Sequence, residues 1–408
     1  MTGLRVALVA GESSGDQLAA GLIEALRARR PACVFSGVGG PRMAAAGCEI
    51  LFDMERIGVI GLDGLAAKLP GILSIRRRLF ARFAGAGAGA GADRPDVFVG
   101  VDAPDFNLAL EGKLRRAGIA CAHYVSPTVW AWRAYRLRKI RRSVDHMLTL
   151  FPFEAAFYRA RGVPVTCVGH PLADRIDAPQ RAAARRELGL SGDGGDGDGD
   201  GLYIALLPGS RRSEITRLAR VFMDAARRIV ARHRHARFIL PFANAAAAES
   251  FAAAAGPVHD LPLRTLPADF RPVDSDAGAR GRTPSQLALE ACDVGIVASG
   301  TAALEAALLR RAHLVAYKLA APSYHLMRRL RRVDYYSMPN QLLPRPLVPE
   351  LIQGRASAAN IAAEALALLD DPARVAALEQ HFAAMHQSLK LGADERAADA
   401  VLRLAEAA

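Results

Sequence analysis

Residues 5–30, RVALVAGESSGDQLAAGLIEALRARR, hold the reading that decides the fold. A short apolar run ends in a turn of small residues, and an amphipathic stretch follows it. Strand-length apolar runs that pass through such turns into helical stretches are βα units, and βα units stack as parallel sheets covered by helices. The alternation returns at PDVFVGVD before residues 106–117 and at YIALLPG before 211–235. The chain is therefore read as α/β, built on parallel sheets.

Its 408 residues leave room for two or three domains at roughly 150 residues each. Two low-complexity segments interrupt the rhythm, AGAGAGAGA at 84–92 and GDGGDGDGDG at 192–201, and a third loop-like stretch covers 271–284. The Asp/Gly run lies between comparable halves. It divides the chain into a domain at 1–190, a linker at 191–201, a second domain at 202–354, and an Ala- and Leu-rich helical tail at 355–408. Asp196, Asp198 and Asp200 could open a calcium loop, but Leu207 stands where a bidentate Glu is required. The DGD pattern also lacks the rigid strand end that a metal-binding DxD needs. A solvated linker is expected, with no metal and no cofactor.

Apolar residues make up 51% of the chain, which excludes a disordered protein, and no window reaches the roughly 18 apolar residues of a membrane span. The start of the chain lacks the pattern of an export signal, so a cytoplasmic protein is expected. Five cysteines without a CxxC spacing read as structural thiols. The formal charge of +12, mostly arginine, favours anionic partners: nucleotides, phosphorylated lipids, an acidic membrane surface or nucleic acid.

Candidate site residues fall at strand ends, where open α/β sheets bind ligands. After the first strand come Ser14 and Asp16, at a helix N-terminus able to receive an anion. A second Gly-rich turn, Gly37 to Pro41, suggests a backbone-lined cleft. After PDVFVGV come Asp102 and Asp105, either of which could be a general base or a helix cap, with Asp105 better suited to capping. The strand ACAHYV delivers His123 and then Trp130 and Trp132, a pair that could pack in a core or recognise carbohydrate or acyl groups. Arg133 to Arg142 is dense in basic residues and reads first as a solvated helix. Leu69, Ile72, Ile75, Leu79 and Phe83 recur at helical spacing beside Arg76 and Arg77. That pattern fits an ordinary domain helix or a basic amphipathic helix lying in a membrane interface. In the second half, Arg211 follows a Pro-Gly turn, and Ser299, Gly300 and Thr301 open a helix that carries Glu305. Two such turns without a Walker lysine point to a nucleotide diphosphate held by backbone and arginine, with Glu305 receiving ribose hydroxyls.

Taken together, VAGESSGD, GVGGPRM, DVFVGVDAPDFN, HYVSPTVWAWR, FPFE, VGHPL, LLPGSR, SGTAALE, Met338-Pro339-Asn340 and Val348 to Leu351 resemble the lipid-A-disaccharide synthases. The matches span most of the chain in family order, and VDAPDFN and SPTVWAWR are long and unusual. The resemblance implies the GT-B architecture, two Rossmann-like domains with parallel sheets facing across a cleft. It implies inverting transfer of 2,3-diacylglucosamine from UDP-2,3-diacylglucosamine to the 6-hydroxyl of 2,3-diacylglucosamine 1-phosphate. Asp102 would be the base. Arg211, Ser299 to Thr301, Glu305 and Asn340 would hold UDP, and the first domain would take the acceptor. Acyl substrates strengthen the membrane reading of the 69–83 stretch, giving peripheral association with the anionic inner-membrane surface from the cytoplasm. The helical tail would pack on the first domain or on a second subunit of a homodimer. Other UDP-GlcNAc-using GT-B enzymes, transferases or epimerases, remain the alternative. A nucleic-acid-binding protein is disfavoured because the arginine clusters lack interleaved aromatics.

Overall fold

The computed structural model describes residues 3–58, 65–85, 94–130, 136–190, 201–270, 282–298, 300–320, 324, 329 and 334–407, with side chains in the second stretch described from residue 69. The chain forms two compact units. The first comprises residues 1–174 and 389–408, and the second 175–388.

The first unit holds a seven-stranded sheet. Its strands are β1 (Arg5–Ala10), β2 (Val34–Gly39), β3 (Glu49–Asp53), β4 (Val97–Val101), β5 (Ala120–Tyr124), β6 (His146–Thr149) and β7 (Val165–Cys167). They lie in the order β3-β2-β1-β4-β5-β6-β7, and every neighbouring pair is parallel. The residues of β4 and β5 are all buried. That is why these strands read as unbroken apolar runs rather than as alternating ones. The order reverses between β1 and β4, leaving a crevice beyond their carboxyl ends where ligands of such sheets bind.

Helix Leu65–Phe83 covers one face of this sheet. Ile72, Ile75, Leu79 and Phe83 are buried against Phe98, Phe106, Leu110 and Leu114. This corrects the expectation that they contact a membrane: their helical spacing serves the domain's own core. Leu69 is 46% exposed. Arg76 lies over the Phe106 ring and Arg78 over Phe52, so two of the flanking arginines cover core aromatics, while Arg77 is exposed.

The last helix, Ala393–Glu406, belongs to the first unit and packs along helix Ser13–Arg29. Arg29 binds Asp399 at 2.7 Å, and Arg30 pairs with Glu406. The Asp174 carboxylate accepts the backbone N–H groups of Gly392 and Ala393 at 2.9 and 2.7 Å, placing negative charge at the positive end of that helix.

The second unit repeats the plan with six strands: β8 (Tyr203–Leu207), β9 (Arg237–Pro241), β10 (Leu263–Leu266), β11 (Val294–Ala298), β12 (Ala312–Tyr317) and β13 (Glu350–Ile352). Their order is β10-β9-β8-β11-β12-β13, again all parallel, so a second reversal lies between β8 and β11. Its amphipathic helix Arg212–Arg232 buries Ile215, Leu218, Phe222 and Ile229 in the core. The unit begins at Arg175, before the Asp/Gly run, because helix Arg181–Glu187 is bound into it. Arg181 and Arg185 reach Asp293 at 3.0 and 2.9 Å, and Arg185 also donates to the Ala291 carbonyl. The Asp/Gly run itself lies outside the described residues.

Candidate active site

In the first unit, β4 ends at Val101 and the chain turns sharply. Asp102 and Ala103 both take left-handed backbone conformations, φ +50° and +42°, and Val125 at the end of β5 has φ +78°. Such angles are uncommon outside glycine and least tolerated by a β-branched valine. Each costs on the order of 1 kcal/mol or more and persists only where the surroundings enforce it. Asn107 supplies part of that enforcement. Its buried amide donates to the carbonyls of Val9, Val101 and Asp102 at 3.1, 3.4 and 2.8 Å, tying the ends of β1 and β4 together. Gly11 lets the two strand-end turns close, since a Cβ there would lie 2.9 Å from the Ala103 methyl.

These turns surround a cavity of about 280 Å³ lined by residues of the β4 and β5 loops, Asp102, Asp105, Val125, Ser126 and Thr128 among them, together with Arg136. Asp102 is half-buried, and its carboxylate makes no hydrogen bond or ion pair among the described residues. Asp105 is bound by Arg136, Nη2 to Oδ1, at 2.6 Å. The two aspartates that spacing could not separate therefore differ: Asp102 offers an unpaired carboxylate to the cavity, and Asp105 is paired with a cation.

Behind the cavity wall lies a polar network that the sequence did not announce. Ser126 Oγ meets the Tyr158 hydroxyl at 3.0 Å, and Trp130 Nε1 donates to Glu154 at 3.0 Å while its ring packs edge-on against Phe153. Burial pushes the Glu154 carboxyl up to about 7, opposed by the hydrogen bonds from Trp130 and the Phe151 backbone. Trp130 is thus oriented by a buried acid. Trp132 lies outside the described residues.

Two expected cleft residues serve the scaffold instead. His123 is completely buried and bonds through Nδ1 to Glu111 at 2.7 Å on the underlying helix Pro104–Arg116. Burial raises the Glu111 carboxyl, with His123 opposing. Asp16 is buried, and its carboxylate accepts the N–H groups of Gly40, Arg42 and Met43 at 2.7, 3.0 and 3.1 Å. It therefore fixes the second Gly-rich turn. Ser14 is exposed in the first turn of its helix.

In the second unit, Arg211 is the residue preceding helix Arg212–Arg232 and is exposed, with Glu214 3.9 Å from its guanidinium. Gly300 precedes helix Thr301–Leu308 with φ +142° and ψ −152°, a conformation open essentially only to glycine. Thr301 is exposed at the first helical position. Ser299 lies outside the described residues. Glu305 sits one turn along, half-buried; burial pushes its carboxyl up to about 7 against the hydrogen bond from Gln286. The free N–H groups that open these two helices flank the β8/β11 reversal, as an anion site requires.

Asn340 does not join them. Its Nδ2 donates to the Val348 carbonyl at 2.9 Å and to Glu350 at 2.8 Å, and its Oδ1 accepts from the Leu347 and Val348 backbones, both at 3.0 Å. Glu350 accepts in addition from Tyr336 N, Ser337 N and Ser337 Oγ. The MPN and VPEL segments form a structural knot with Asn340 at its centre. Among the described residues no group of three or more His, Cys, Asp or Glu is placed to hold a metal ion, and no helix is long and apolar enough to cross a membrane.

Comparison with known proteins places this geometry. A family model described as lipid-A-disaccharide synthetase matches residues 6–266 and 277–403. The chain is 47% identical over 405 residues to a lipid-A-disaccharide synthase of Pseudomonas aeruginosa (strain UCBPP-PA14), covering 99% of both chains. It is also 47% identical over 408 residues to that of Azotobacter vinelandii, again covering 99% of both. Among solved structures it is similar in fold to a UDP-GlcNAc 2-epimerase from Neisseria meningitidis (TM-score 0.61, 12% identity, 99% and 100% of the two chains). A second likeness is to the glycotransferase of kitacinnamycin (TM-score 0.56, 16% identity, 99% and 100%). Two parallel-sheet Rossmann-like domains with a helical C-terminal tail are the GT-B architecture.

Proposed function

We propose, for a chain that belongs to the lipid-A-disaccharide synthase family and is a glycosyltransferase forming the lipid A disaccharide, that the donor is UDP-2,3-diacylglucosamine and the acceptor 2,3-diacylglucosamine 1-phosphate. The observation that carries the assignment of roles is the unpaired Asp102 carboxylate, held by strained backbone at the cavity. Asp102 takes the proton of the acceptor 6-hydroxyl as that oxygen attacks the donor anomeric carbon. The bond from that carbon to the diphosphate oxygen breaks with inversion, giving the β-1,6 disaccharide and UDP. A sugar hydroxyl is a weak nucleophile, and a positioned base contributes roughly 10²–10⁴ in rate. On the donor side, Arg211 and the helix N-termini after β8 and β11, with Ser299, Gly300 and Thr301, stabilise the departing diphosphate, and Glu305 holds the ribose.

Diacylated sugars must be drawn from a bilayer, so the protein is read as a peripheral protein on the anionic cytoplasmic face. The exposed side chains of helix Leu65–Phe83, Leu69 and Arg77, support contact there, in place of its buried residues. Vesicle co-sedimentation of Leu69→Glu tests it, and unchanged binding would exclude this contact.

Incubation with the two diacyl sugars, followed by mass and linkage analysis, tests the reaction. A β-1,6 disaccharide phosphate and stoichiometric UDP are expected. Epimerised UDP-sugar, or a disaccharide of other linkage, would overturn the substrate reading.

A further inference from the structure

We propose that Arg136 is the acceptor-specificity residue and receives the anomeric phosphate of the sugar whose hydroxyl Asp102 activates; this rests on the acceptor reading above. Among the described residues, Arg136 is the cation in the lining of the Asp102 cavity. Its side chain is only 13% exposed, whereas its partner Asp105 is 78% exposed. The guanidinium carries five N–H donors in a planar fork. Beyond the single bond to Asp105 it makes no hydrogen bond among the described residues. A largely desolvated guanidinium with most of its donors unspent is built for an anion, and the fork matches two phosphate oxygens at once.

Asp105 is a weak competitor, because a solvent-facing carboxylate is well screened, and a dianionic phosphate outbids it. Its role is to aim the guanidinium in the empty cavity. Ser126, also in the lining, already shares its hydroxyl with Tyr158. Charge recognition therefore falls on Arg136. The ligand's covalent geometry agrees: C1 and C5 both flank the ring oxygen of a glucopyranose, so the 1-phosphate and the 6-hydroxyl share one edge of the sugar. One small cavity with Asp102 and Arg136 in its wall can meet both groups, leaving the acyl chains outside.

The test compares kcat/KM for 2,3-diacylglucosamine 1-phosphate with that for the same sugar lacking the phosphate, in wild type, Arg136→Ala and Arg136→Lys. The wild-type preference for the phosphorylated acceptor is expected to be roughly 10- to 100-fold, the range of a charge-assisted pair. In Arg136→Ala it should collapse toward unity, chiefly through KM, and in Arg136→Lys part should survive because the charge remains without the fork. A ratio cancels any common loss from impaired folding. Retention of the wild-type preference in Arg136→Ala overturns the assignment, as does a parallel loss of UDP affinity by calorimetry, which would place the guanidinium on the donor. Wild-type protein that makes no disaccharide from either acceptor overturns the acceptor reading itself, and this assignment with it.

Discussion

Replacing Asp102 with Asn isolates the proposed base role from everything else that residue does. Asn is among the few residues that tolerate the left-handed backbone that position 102 adopts, and its size matches Asp. Ala would add backbone strain of about 1 kcal/mol and would confuse loss of chemistry with loss of shape. The carboxylate makes no hydrogen bond or ion pair among the described residues, so no scaffold interaction is removed with it. The Asn107 bond goes to the Asp102 carbonyl and survives. The whole cost should therefore appear in the chemical step. Losing the base is expected to lower kcat by roughly 10²–10⁴, or about 3–5 kcal/mol of barrier. Turnover of the two diacyl sugars, calorimetry with UDP and a thermal melt together make the assay, with the last two near wild type. An Asp102→Asn enzyme that keeps most of its activity, beside a folded but inactive Asp105→Asn, would reverse the two roles.

Leu79→Ala, at a fully buried core position, should destabilise the protein by about 2–5 kcal/mol, as measured by denaturant titration; a silent substitution would mean that the helix does not depend on its inner face. Arg211→Ala should weaken UDP binding while sparing uridine, and Glu305→Ala should weaken both; equal losses for the two ligands in Arg211→Ala would remove its phosphate role. Asn340→Ala strands the Leu347 and Val348 N–H groups, so the melting midpoint should fall along with any loss of UDP affinity, whereas a UDP defect at an unchanged midpoint would assign Asn340 to the nucleotide. Glu154 has its carboxyl raised in the folded state to about 7 from 4.5. Its contribution to stability is therefore full below pH 4.5 and is lost as pH rises through 7, so wild type should lose about 2–3 kcal/mol relative to Glu154→Gln between pH 5 and 8; parallel stability curves would contradict this.

The order of strands and turns was legible because each βα unit writes itself locally: an apolar run, a small-residue turn, an amphipathic stretch. The position of Asp102 was legible for the same reason, as the first polar residue beyond a buried strand. Long-range partners were not. Nothing near Asp16 reveals that its carboxylate holds the backbone of Gly40 to Met43, and nothing near Asn340 reveals Glu350 as its partner. The inner face of Leu65–Phe83 misled because a core and a bilayer reward the same 3.6-residue period, and only the neighbouring strands decide between them. The Asp/Gly run stands out by composition, whereas the boundary between units lies before Arg175 because the ion pairs of Arg181 and Arg185 bind their helix to the second unit. Arg136 stood in a dense basic segment where composition could not single it out. The strain at Val125 leaves no trace in composition, since a valine there contradicts local preference.

The docking of Ala393–Glu406 on Ser13–Arg29 has a consequence for how the protein is born. Ribosomes deliver a chain from its N-terminus, and domains generally fold as units as they emerge. The second unit is contiguous in sequence and can complete its contacts while synthesis continues. The first cannot: β1 to β7 leave the ribosome early, yet the helix that covers Ser13–Arg29 is made only after the whole second unit. Until then, the nascent first unit carries an uncovered face on helix Ser13–Arg29, the kind of transiently exposed apolar surface that invites aggregation.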